Sequence, residues 1–260
     1  MPGVNGTRLD PSAVVVLKLG SSVLTGVAGL RQAAGSVADL VRERKKVVCV
    51  VSALGRTTDE LLETIRAVSG TASALDVAST LATGEDAAAS LFSIALGAAG
   101  VSCTVARATS FRLLTRGPRL NARPIGANCQ WLTERLRTSE VIVIPGFVGV
   151  CRRGLPTLLG RGGSDLSALF LAYHLGVREC RLVKDVDGLY TWDPNNHSLP
   201  PAQRLNRASW ADAVRLGGEL VQPKAVRFAE ERCQTFTVTA LNGCGTVVGP
   251  GPSLTERVAN

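Results

Sequence analysis

The chain has few histidines, few aromatic residues and no closely paired cysteines. Its 260 residues include two histidines, His174 and His197, and no Cys-x-x-Cys motif. This scarcity argues against a zinc site or a histidine-based mechanism, since both need imidazole or clustered thiolate groups. The seven cysteines are scattered and odd in number, and several lie in apolar runs, as Cys49 does. We therefore expect reduced core thiols, with neither disulfides nor a metal bound by the protein.

Long apolar runs are also missing. No run reaches the length that spans a membrane, and the polar N-terminal residues 1–12 contain no signal-peptide core. We expect a flexible tail over these residues and a soluble, cytoplasmic protein with no membrane partner.

The formal net charge is +8, whereas aromatic residues make up 4% of the chain. A basic protein can bind nucleic acid, but here Lys and Arg are dispersed and the rings that would stack on bases are scarce. We expect no nucleic-acid partner. A small anionic ligand such as a nucleotide accounts for the charge more simply. The alternative is that the charge only keeps the protein soluble.

Short apolar runs alternate with segments of helical periodicity, which predicts an α/β fold with a mostly parallel sheet covered on both faces. The length allows one or two domains with an ample core. Strands are predicted at 14–19, 47–51, 101–106, 141–144, 180–183 and, as the last one, 235–240. Helices are predicted at 29–44, from 57 onward, and at 72–98, 128–138, 165–175, 208–216 and 223–232. Residues 110–126 suit a β-hairpin or loop, and a second hairpin is predicted after residue 145.

Three glycines, Gly160, Gly162 and Gly163, fall within four residues just before an apolar helix. Glycine permits backbone conformations closed to other residues. The helix N-terminus that follows presents N–H groups and a positive dipole end to a phosphate or carboxylate. Arg161 adds a planar guanidinium that can grip a carboxylate at two points. The alternative is an ordinary tight turn before a capped helix.

Charged residues stand inside two apolar elements. Lys18 lies near the carboxyl end of the first predicted strand, where open α/β sheets bind ligands, so it is placed to reach a phosphate. The alternative is a lysine whose stem is buried and whose ammonium reaches water. Glu85 and Asp86 lie in an otherwise apolar helix, and a buried charge there needs a partner or a ligand. The alternative is that one face of this helix is exposed.

Three segments of the chain resemble the amino acid kinase family, and most closely the catalytic domain of aspartokinases. They are residues 51–62, residues 157–165 with the sequence TLLGRGGSD, and residues 185–194 with the sequence DVDGLYTWDP. Together the resemblance covers about residues 14–249. It implies a three-layer α/β/α sandwich and a homodimer. It also implies a single domain at 13–250, with an amino acid lobe at 13–150, a nucleotide lobe at 151–250 and a tail at 251–260.

The resemblance further implies ATP-dependent phosphorylation of an amino acid side-chain carboxylate to an acyl phosphate. Mg²⁺ would arrive with ATP, so no dedicated protein cage is expected. Lys18 would contact the transferred phosphoryl group and Asp165 would orient that lysine. The implied amino acid-binding residues are Ser52, Thr58, Glu85, Arg161, Gly162, Gly163 and Ser164. The implied phosphate- or nucleotide-binding residues are Gly20, Ser21, Ser22, Lys184, Asp185, Tyr190 and Asp193.

Several positions depart from the aspartokinase pattern. The first motif, residues 18–25, looks more like glutamate 5-kinase. Lys184 stands where aspartokinases usually have a small Thr, Asn195 replaces a common Arg, and Glu219 falls where the family has a nucleotide-contacting lysine. Pro223-Lys224 resembles the pair of acetylglutamate kinases whose lysine assists phosphoryl transfer. We hypothesise that Lys224, Lys184 or both supply the missing positive charge, which makes Lys224 a candidate catalytic residue.

Three functions remain open at this point. The first is a kinase for aspartate or a close analogue, and the second is a kinase for glutamate or another amino acid. The third is a catalytically weak homologue that binds nucleotide or amino acid as a regulatory subunit. Aspartokinases usually carry C-terminal regulatory domains of the ACT type, and none fits in this sequence, so we expect no feedback inhibition through such a domain.

Overall fold

The main sheet is centred on two buried parallel strands, β1 (Val14–Leu19) and β2 (Lys46–Val51). The structure is a computed structural model that describes residues 10–194, 196, 198, 200–218 and 220–255. The other strands are β3 (Cys103–Val105), β4 (Leu114–Arg116), β5 (Arg123–Gly126), β6 (Val141–Pro145), β7 (Val148–Val150), β8 (Pro156–Leu158), β9 (Glu179–Val183), β10 (Leu205–Ser209), β11 (Phe236–Thr239), β12 (Thr246–Gly249) and β13 (Leu254–Thr255). The helices are α1 (Gly26–Arg42), α2 (Thr57–Val68), α3 (Ala74–Ala98), α4 (Cys129–Thr138), α5 (Gly163–Leu175), α6 (Trp210–Gly217) and α7 (Pro223–Glu230).

The main sheet has the strand order β13-β10-β12-β11-β9-β1-β2-β6-β3. The run from β11 to β3 is parallel, whereas β11 pairs with β12 and β10 pairs with β13 in the antiparallel sense. A second sheet, β5-β4-β7-β8, contains the two predicted hairpins. The carboxyl ends of β1, β2, β6 and β9 therefore meet at one edge, where parallel sheets of this kind bind ligands.

Helices cover both faces of the central strands, which confirms the predicted three-layer α/β/α sandwich. Successive residues of β1 point to opposite faces, as in any strand. Val14 and Val16 belong to the apolar cluster that includes α5, whereas Val15 and Leu17 belong to the cluster that includes α1. By this alternation Lys18 lies on the α5 face of the sheet.

Three strands escaped the sequence analysis. β10 is mixed in polarity and only Leu205 and Ala208 are buried, so no apolar run marks it. β12 follows a Gly-rich turn, so residues 235–240 are not the last strand as predicted. β13 pairs with β10 inside the segment expected to be a tail at 251–260. Strands near a sheet edge need one apolar face at most, which weakens their signal.

All seven cysteines are free thiols; Cys49 and Cys180 are buried in the core as predicted, whereas Cys233 and Cys244 are exposed. Within the described part of the chain, none of the helices has the length and hydrophobicity required to cross a bilayer. Of the predicted N-terminal tail, residues 1–9 lie outside the described residues, and Pro11–Ala13 forms a short 3₁₀ turn leading into β1.

The packing of α3 yields a stability prediction. Phe92 is fully buried against the sheet, whereas Ile94 on the same helix is 68% exposed. We expect Phe92→Ala to lower the free energy of unfolding by about 3–5 kcal/mol, because it leaves a cavity. The matched change Ile94→Ala should stay within about 0.5 kcal/mol. Urea unfolding of the two variants measures the difference, and equal losses would contradict the described packing.

Candidate active site

A cavity of about 870 Å³ opens at the carboxyl edge of the main sheet. Residues that follow β1, β2, β6 and β9 line it, together with the N-termini of α2 and α5 and the middle of α3. The predicted site residues on its wall are Lys18, Gly20, Ser21, Ser22, Ser52, Thr58, Glu85, Arg161, Gly162, Gly163, Ser164, Asp165, Lys184 and Asp185. The structure thus brings together fourteen of the seventeen predicted residues, which are spread over more than 160 positions.

A second cavity, of about 560 Å³, lies beside α1 and contains none of these residues. Its charged groups include Asp39, Arg42 and Arg181, and these pair with nearby groups on their own helix or strand. We place the candidate site in the larger cavity because buried charges converge there.

The floor of the larger cavity is a buried cluster of three charges, which we call the Lys-Asp-Lys cluster: Lys18, Asp165 and Lys184. The Lys18 Nζ lies 3.0 Å from the Asp165 Oδ1. The Lys184 Nζ lies 2.9 Å from the Oδ2 and 3.1 Å from the Oδ1 of the same carboxylate. Each of the three residues is less than 9% exposed. One carboxylate therefore neutralises one of two ammonium groups, and a positive charge remains beside the cavity.

The fold explains why the three side chains meet. β1 and β9 are adjacent, and Lys18 pairs with Leu182, two residues before Lys184, so both lysines are on the α5 face. Asp165 is in the first turn of α5, which packs across these two strands. The sequence analysis assigned Asp165 to Lys18 but did not predict its second bond, to Lys184.

Burial and charge act on these groups in opposite directions. Burial raises the pKa of Asp165, but the ammonium groups of Lys18 and Lys184 outweigh it and hold the pKa below the usual range. Burial and the neighbouring Lys18 lower the pKa of Lys184 to about 8, although Asp165 opposes them. The cluster therefore becomes more positive as the pH falls through this value.

The glycine loop forms one side of the cavity in a conformation that requires glycine. Gly160 and Gly162 have φ angles of 72° and 70°, which side chains rarely adopt. A Cβ at Gly162 would also lie 2.4 Å from the Cβ of Gln222. The loop then enters α5 at Gly163, so the N-terminus of this helix lines the cavity beside Arg161.

The sequence left open whether Glu85 and Asp86 are buried charges or lie on an exposed face of α3, and the structure gives one of each. Glu85 is 3% exposed, lines the cavity and has an Oε2 atom with no hydrogen-bond partner. Burial raises its pKa to about 8, while a backbone hydrogen bond from Ala53 and the charge of Lys18 oppose the shift. Asp86 is partly exposed and its Oδ2 lies 3.0 Å from the Nε of Arg107. The Oε2 atom of Glu85 is thus a buried acceptor without a partner, as expected where a cationic group binds.

Serine and aspartate connect the loops after β1 and β9. The Ser22 Oγ donates to the Asp185 Oδ1 at 3.1 Å, and both residues line the cavity. A Cβ at Gly20 would lie 3.1 Å from the Lys18 Nζ. The missing side chain at Gly20 therefore keeps the space beside this ammonium open.

Three predicted residues do not line the cavity. The Tyr190 hydroxyl donates to the Asp187 Oδ1 at 2.6 Å, and Asp193 is exposed beyond it. Lys224 points to the loop backbone: its Nζ donates to the Asn121 Oδ1 at 2.6 Å and to the Leu159 carbonyl. Lys224 thus lies outside the lining of the cavity, and its catalytic role stays a prediction. Glu219 and Asn195, the two other departures, lie outside the described residues.

The sequence analysis missed an apolar wall of the cavity. Its members are Leu62, Val77, Leu81, Leu120, Phe147 and Leu158. The three from α2 and α3 follow helical periodicity, but a periodicity does not tell a cavity from a core. Leu120 and Phe147 come from irregular segments between strands, where no pattern in the sequence marks them, and Leu158 ends β8.

The family model of the "Amino acid kinase family" matches residues 13–239. The chain belongs to the amino acid kinase family. It is 33% identical to an aspartate kinase of Pseudomonas fluorescens (strain SBW25) over 222 residues, which are 84% of this chain and 53% of that protein. It is 32% identical to an aspartokinase of Thermus thermophilus over 221 residues, or 84% and 54%. The chain spans about half the length of the curated relatives it matches.

Solved structures show the same fold. An aspartate kinase from Synechocystis has a TM-score of 0.78 at 28% identity, over 93% of this chain and 41% of that one. E. coli aspartokinase III in complex with aspartate and ADP has a TM-score of 0.76 at 23% identity, over 94% and 65%. A UMP kinase from Bacillus anthracis has a TM-score of 0.66 at 15% identity, over 95% and 100%. Together with the family match, these likenesses confirm the predicted amino acid kinase fold.

The Lys-Asp-Lys cluster yields a prediction about stability and pH. Asp165→Asn leaves two buried ammonium groups without a counter-charge and should lower the free energy of unfolding by about 3–5 kcal/mol at pH 7. Burial lowers the pKa of Lys184 below its value in the unfolded chain, so the penalty on this lysine is lost as the pH rises and it gives up its proton. The difference from the wild type should therefore be smaller at about pH 9.5.

Chemical denaturation at both pH values measures this effect. The control is Asp86→Asn, which removes the exposed ion pair between α3 and Arg107 and should cost at most about 1 kcal/mol. A loss for Asp165→Asn that is no larger than the control, or that does not shrink with rising pH, would contradict the buried cluster.

Proposed function

We propose that the chain is an ATP-dependent kinase that phosphorylates the side-chain carboxylate of aspartate or a close analogue, giving an acyl phosphate. The observation that carries the proposal is the buried Lys-Asp-Lys cluster, which shares one cavity with Arg161 and Glu85. A net positive floor suits phosphate groups, and a guanidinium and a carboxylate together suit an amino acid. The aspartokinase relatives, at over 30% identity, support the same chemistry.

The reaction joins two anions, so charge neutralisation and alignment matter more than covalent help from the protein. A carboxylate oxygen of the amino acid forms a bond to the γ-phosphorus of ATP. The bond from that phosphorus to the β–γ bridging oxygen breaks, and ADP leaves with the electron pair. No proton moves in this step. Lys18 contacts the transferred group, and Asp165 holds Lys18 in place.

The acceptor would bind beside the glycine loop. Arg161 would grip the α-carboxylate through paired N–H donors, and the unpartnered Oε2 of Glu85 would accept from the ammonium group. Ser52 and Thr58, which follow β2, line the same part of the cavity. These contacts align the side-chain carboxylate with the phosphoryl group, and such alignment is a large part of catalysis between two bound reactants.

The nucleotide would lie over the carboxyl ends of β1 and β9, with its phosphates near Gly20, Ser21 and Ser22. Among the described residues no group of three or more His, Cys, Asp or Glu side chains forms a metal cage. A donor set with few carboxylates fits Mg²⁺ that enters on the ATP phosphates. The ion would add positive charge to the phosphates, in the same sense as the lysines.

A kinase for glutamate is the second candidate. The motif at residues 18–25 favours it, because it looks more like glutamate 5-kinase, and four of its residues line the cavity: Lys18, Gly20, Ser21 and Ser22. A homodimer and the division into an amino acid lobe at 13–150 and a nucleotide lobe at 151–250 remain predictions.

The first test traps the acyl phosphate with hydroxylamine, in an assay of aspartate, glutamate, N-acetylglutamate and aspartate analogues with Mg·ATP. We expect turnover with aspartate or an analogue. Lys18→Ala should lower kcat by on the order of 100- to 1,000-fold, because it removes a contact to the developing charge. Arg161→Ala should raise the KM of the acid by about 10- to 100-fold.

The exposed Arg66→Ala in α2 is the control for Arg161 and should match the wild type. Turnover only with another acid would change the proposed substrate but support the transfer of phosphate to a carboxylate. No hydroxamate from any acid, despite binding of ATP, would favour a regulatory homologue.

Glu85 gives a pH prediction. It binds an ammonium group only when ionised, and its pKa is raised to about 8, so kcat/KM for the amino acid should rise as the pH approaches 8 from below. Glu85→Gln should lower kcat/KM at pH 8 and abolish this rise, because the amide does not ionise. Steady-state kinetics from about pH 6 to pH 9 checks it. If kcat/KM of the Glu85→Gln variant still rises toward pH 8 as in the wild type, Glu85 is not the group that binds the ammonium.

A further inference from the structure

The second lysine of the cluster has no counter-charge of its own. Asp165 carries one negative charge, and both Lys18 and Lys184 lie within about 3 Å of its Oδ1 atom. All three side chains are buried, so water does not compensate the extra charge well. A buried excess charge is costly unless a ligand of opposite charge binds next to it. The cavity beside the cluster is where that ligand would bind.

Lys184 is placed to meet the same anion as Lys18. Both side chains leave adjacent parallel strands on the same face, and both line the cavity. An ammonium group has three N–H donors, and Asp165 occupies only part of the donors on each lysine. An oxygen-rich group bound in front of Asp165 would therefore contact both ammonium groups at once.

The competing candidate, Lys224, is engaged elsewhere. Its Nζ is bonded to the Asn121 side chain and to the Leu159 carbonyl, and it does not line the cavity. These bonds connect the start of α7 to the segment that leads into Gly160. Lys224 is thus a positioning residue for the glycine loop.

We propose that Lys184 is a catalytic residue that binds the transferred phosphoryl group together with Lys18. The inference rests on the proposed function and names the second cation of that site. In the step described above, the three outer oxygens of the phosphoryl group accept from both lysines while the bond to the carboxylate forms and the bond to ADP breaks. Asp165 holds the two ammonium groups side by side against their mutual repulsion.

The test compares binding of Mg·ADP alone with binding of Mg·ADP plus aluminium fluoride, a planar mimic of the phosphoryl group, by calorimetry. In the wild type we expect the fluoride complex to bind more tightly. Lys184→Met should weaken the fluoride complex by on the order of tenfold or more, and ADP by less than about twofold, because only the mimic occupies the phosphoryl position. Lys184→Thr introduces the small residue that aspartokinases usually have at this position and should give the same result. Because Met and Thr differ in size but both lack the charge, equal losses show that the charge of Lys184 matters and its shape does not.

Two further variants serve as references. Lys45→Met removes a lysine at the opposite edge of the sheet and should change neither affinity. Lys224→Met should lower both affinities by the same factor, because it acts through the loop. In the hydroxylamine assay Lys184→Met should lower kcat by on the order of 100-fold with the KM of the acid within about twofold.

The possible outcomes separate this inference from the proposed function. A fluoride complex that binds both Lys184 variants as tightly as the wild type overturns the inference alone. If the Lys184 variants weaken binding of the fluoride complex selectively, but the wild type forms no acyl phosphate, the role of Lys184 is supported and the proposed acceptor is rejected. A wild type that binds neither ADP nor the fluoride complex overturns both.

Discussion

The candidate site depends on one buried interaction, the contact of the Asp165 carboxylate with the ammonium groups of Lys18 and Lys184. Two like charges cannot stay side by side in a protein interior without an opposite charge between them. Asp165 provides that charge from the first turn of α5. The apolar packing of α5 on β1 and β9 keeps it in position, so the core of the protein and the chemistry of the site share one set of contacts.

The arrangement of the strands explains why the remaining groups are close to this cluster. In a parallel sheet the carboxyl ends of neighbouring strands lie at one edge, so the residues that follow β1, β2, β6 and β9 meet there. The glycine loop adds the N-terminus of α5, in backbone conformations that side chains would prevent. Residues predicted to bind phosphate and residues predicted to bind an amino acid thus reach one cavity from different segments of the chain.

The site also shows how a member of this family can differ from its relatives without losing the fold. Lys184 stands where aspartokinases usually carry a threonine, yet it fits because Asp165 has a second carboxylate oxygen to accept its bond. Lys224, which resembles a catalytic lysine of acetylglutamate kinases, is bonded to Asn121 and to the backbone of the glycine loop. A residue with the expected type at the expected position therefore still needs a structure before a role is assigned to it.

The sequence alone determined the order of most helices and strands, because apolar runs and helical periodicities are local properties of the chain. It also indicated the family, since the segments around Lys18, Gly162 and Asp185 resemble those of amino acid kinases, and these segments line one cavity. It did not predict β10, β12 and β13, which lie toward a sheet edge, where a strand needs little apolar surface. Only the tertiary structure decided which lysine shares Asp165, that Glu85 is buried while Asp86 is partly exposed, and that Lys224 faces the loop. Those outcomes depend on the register of distant strands and on the face from which each side chain emerges, and a linear pattern contains neither.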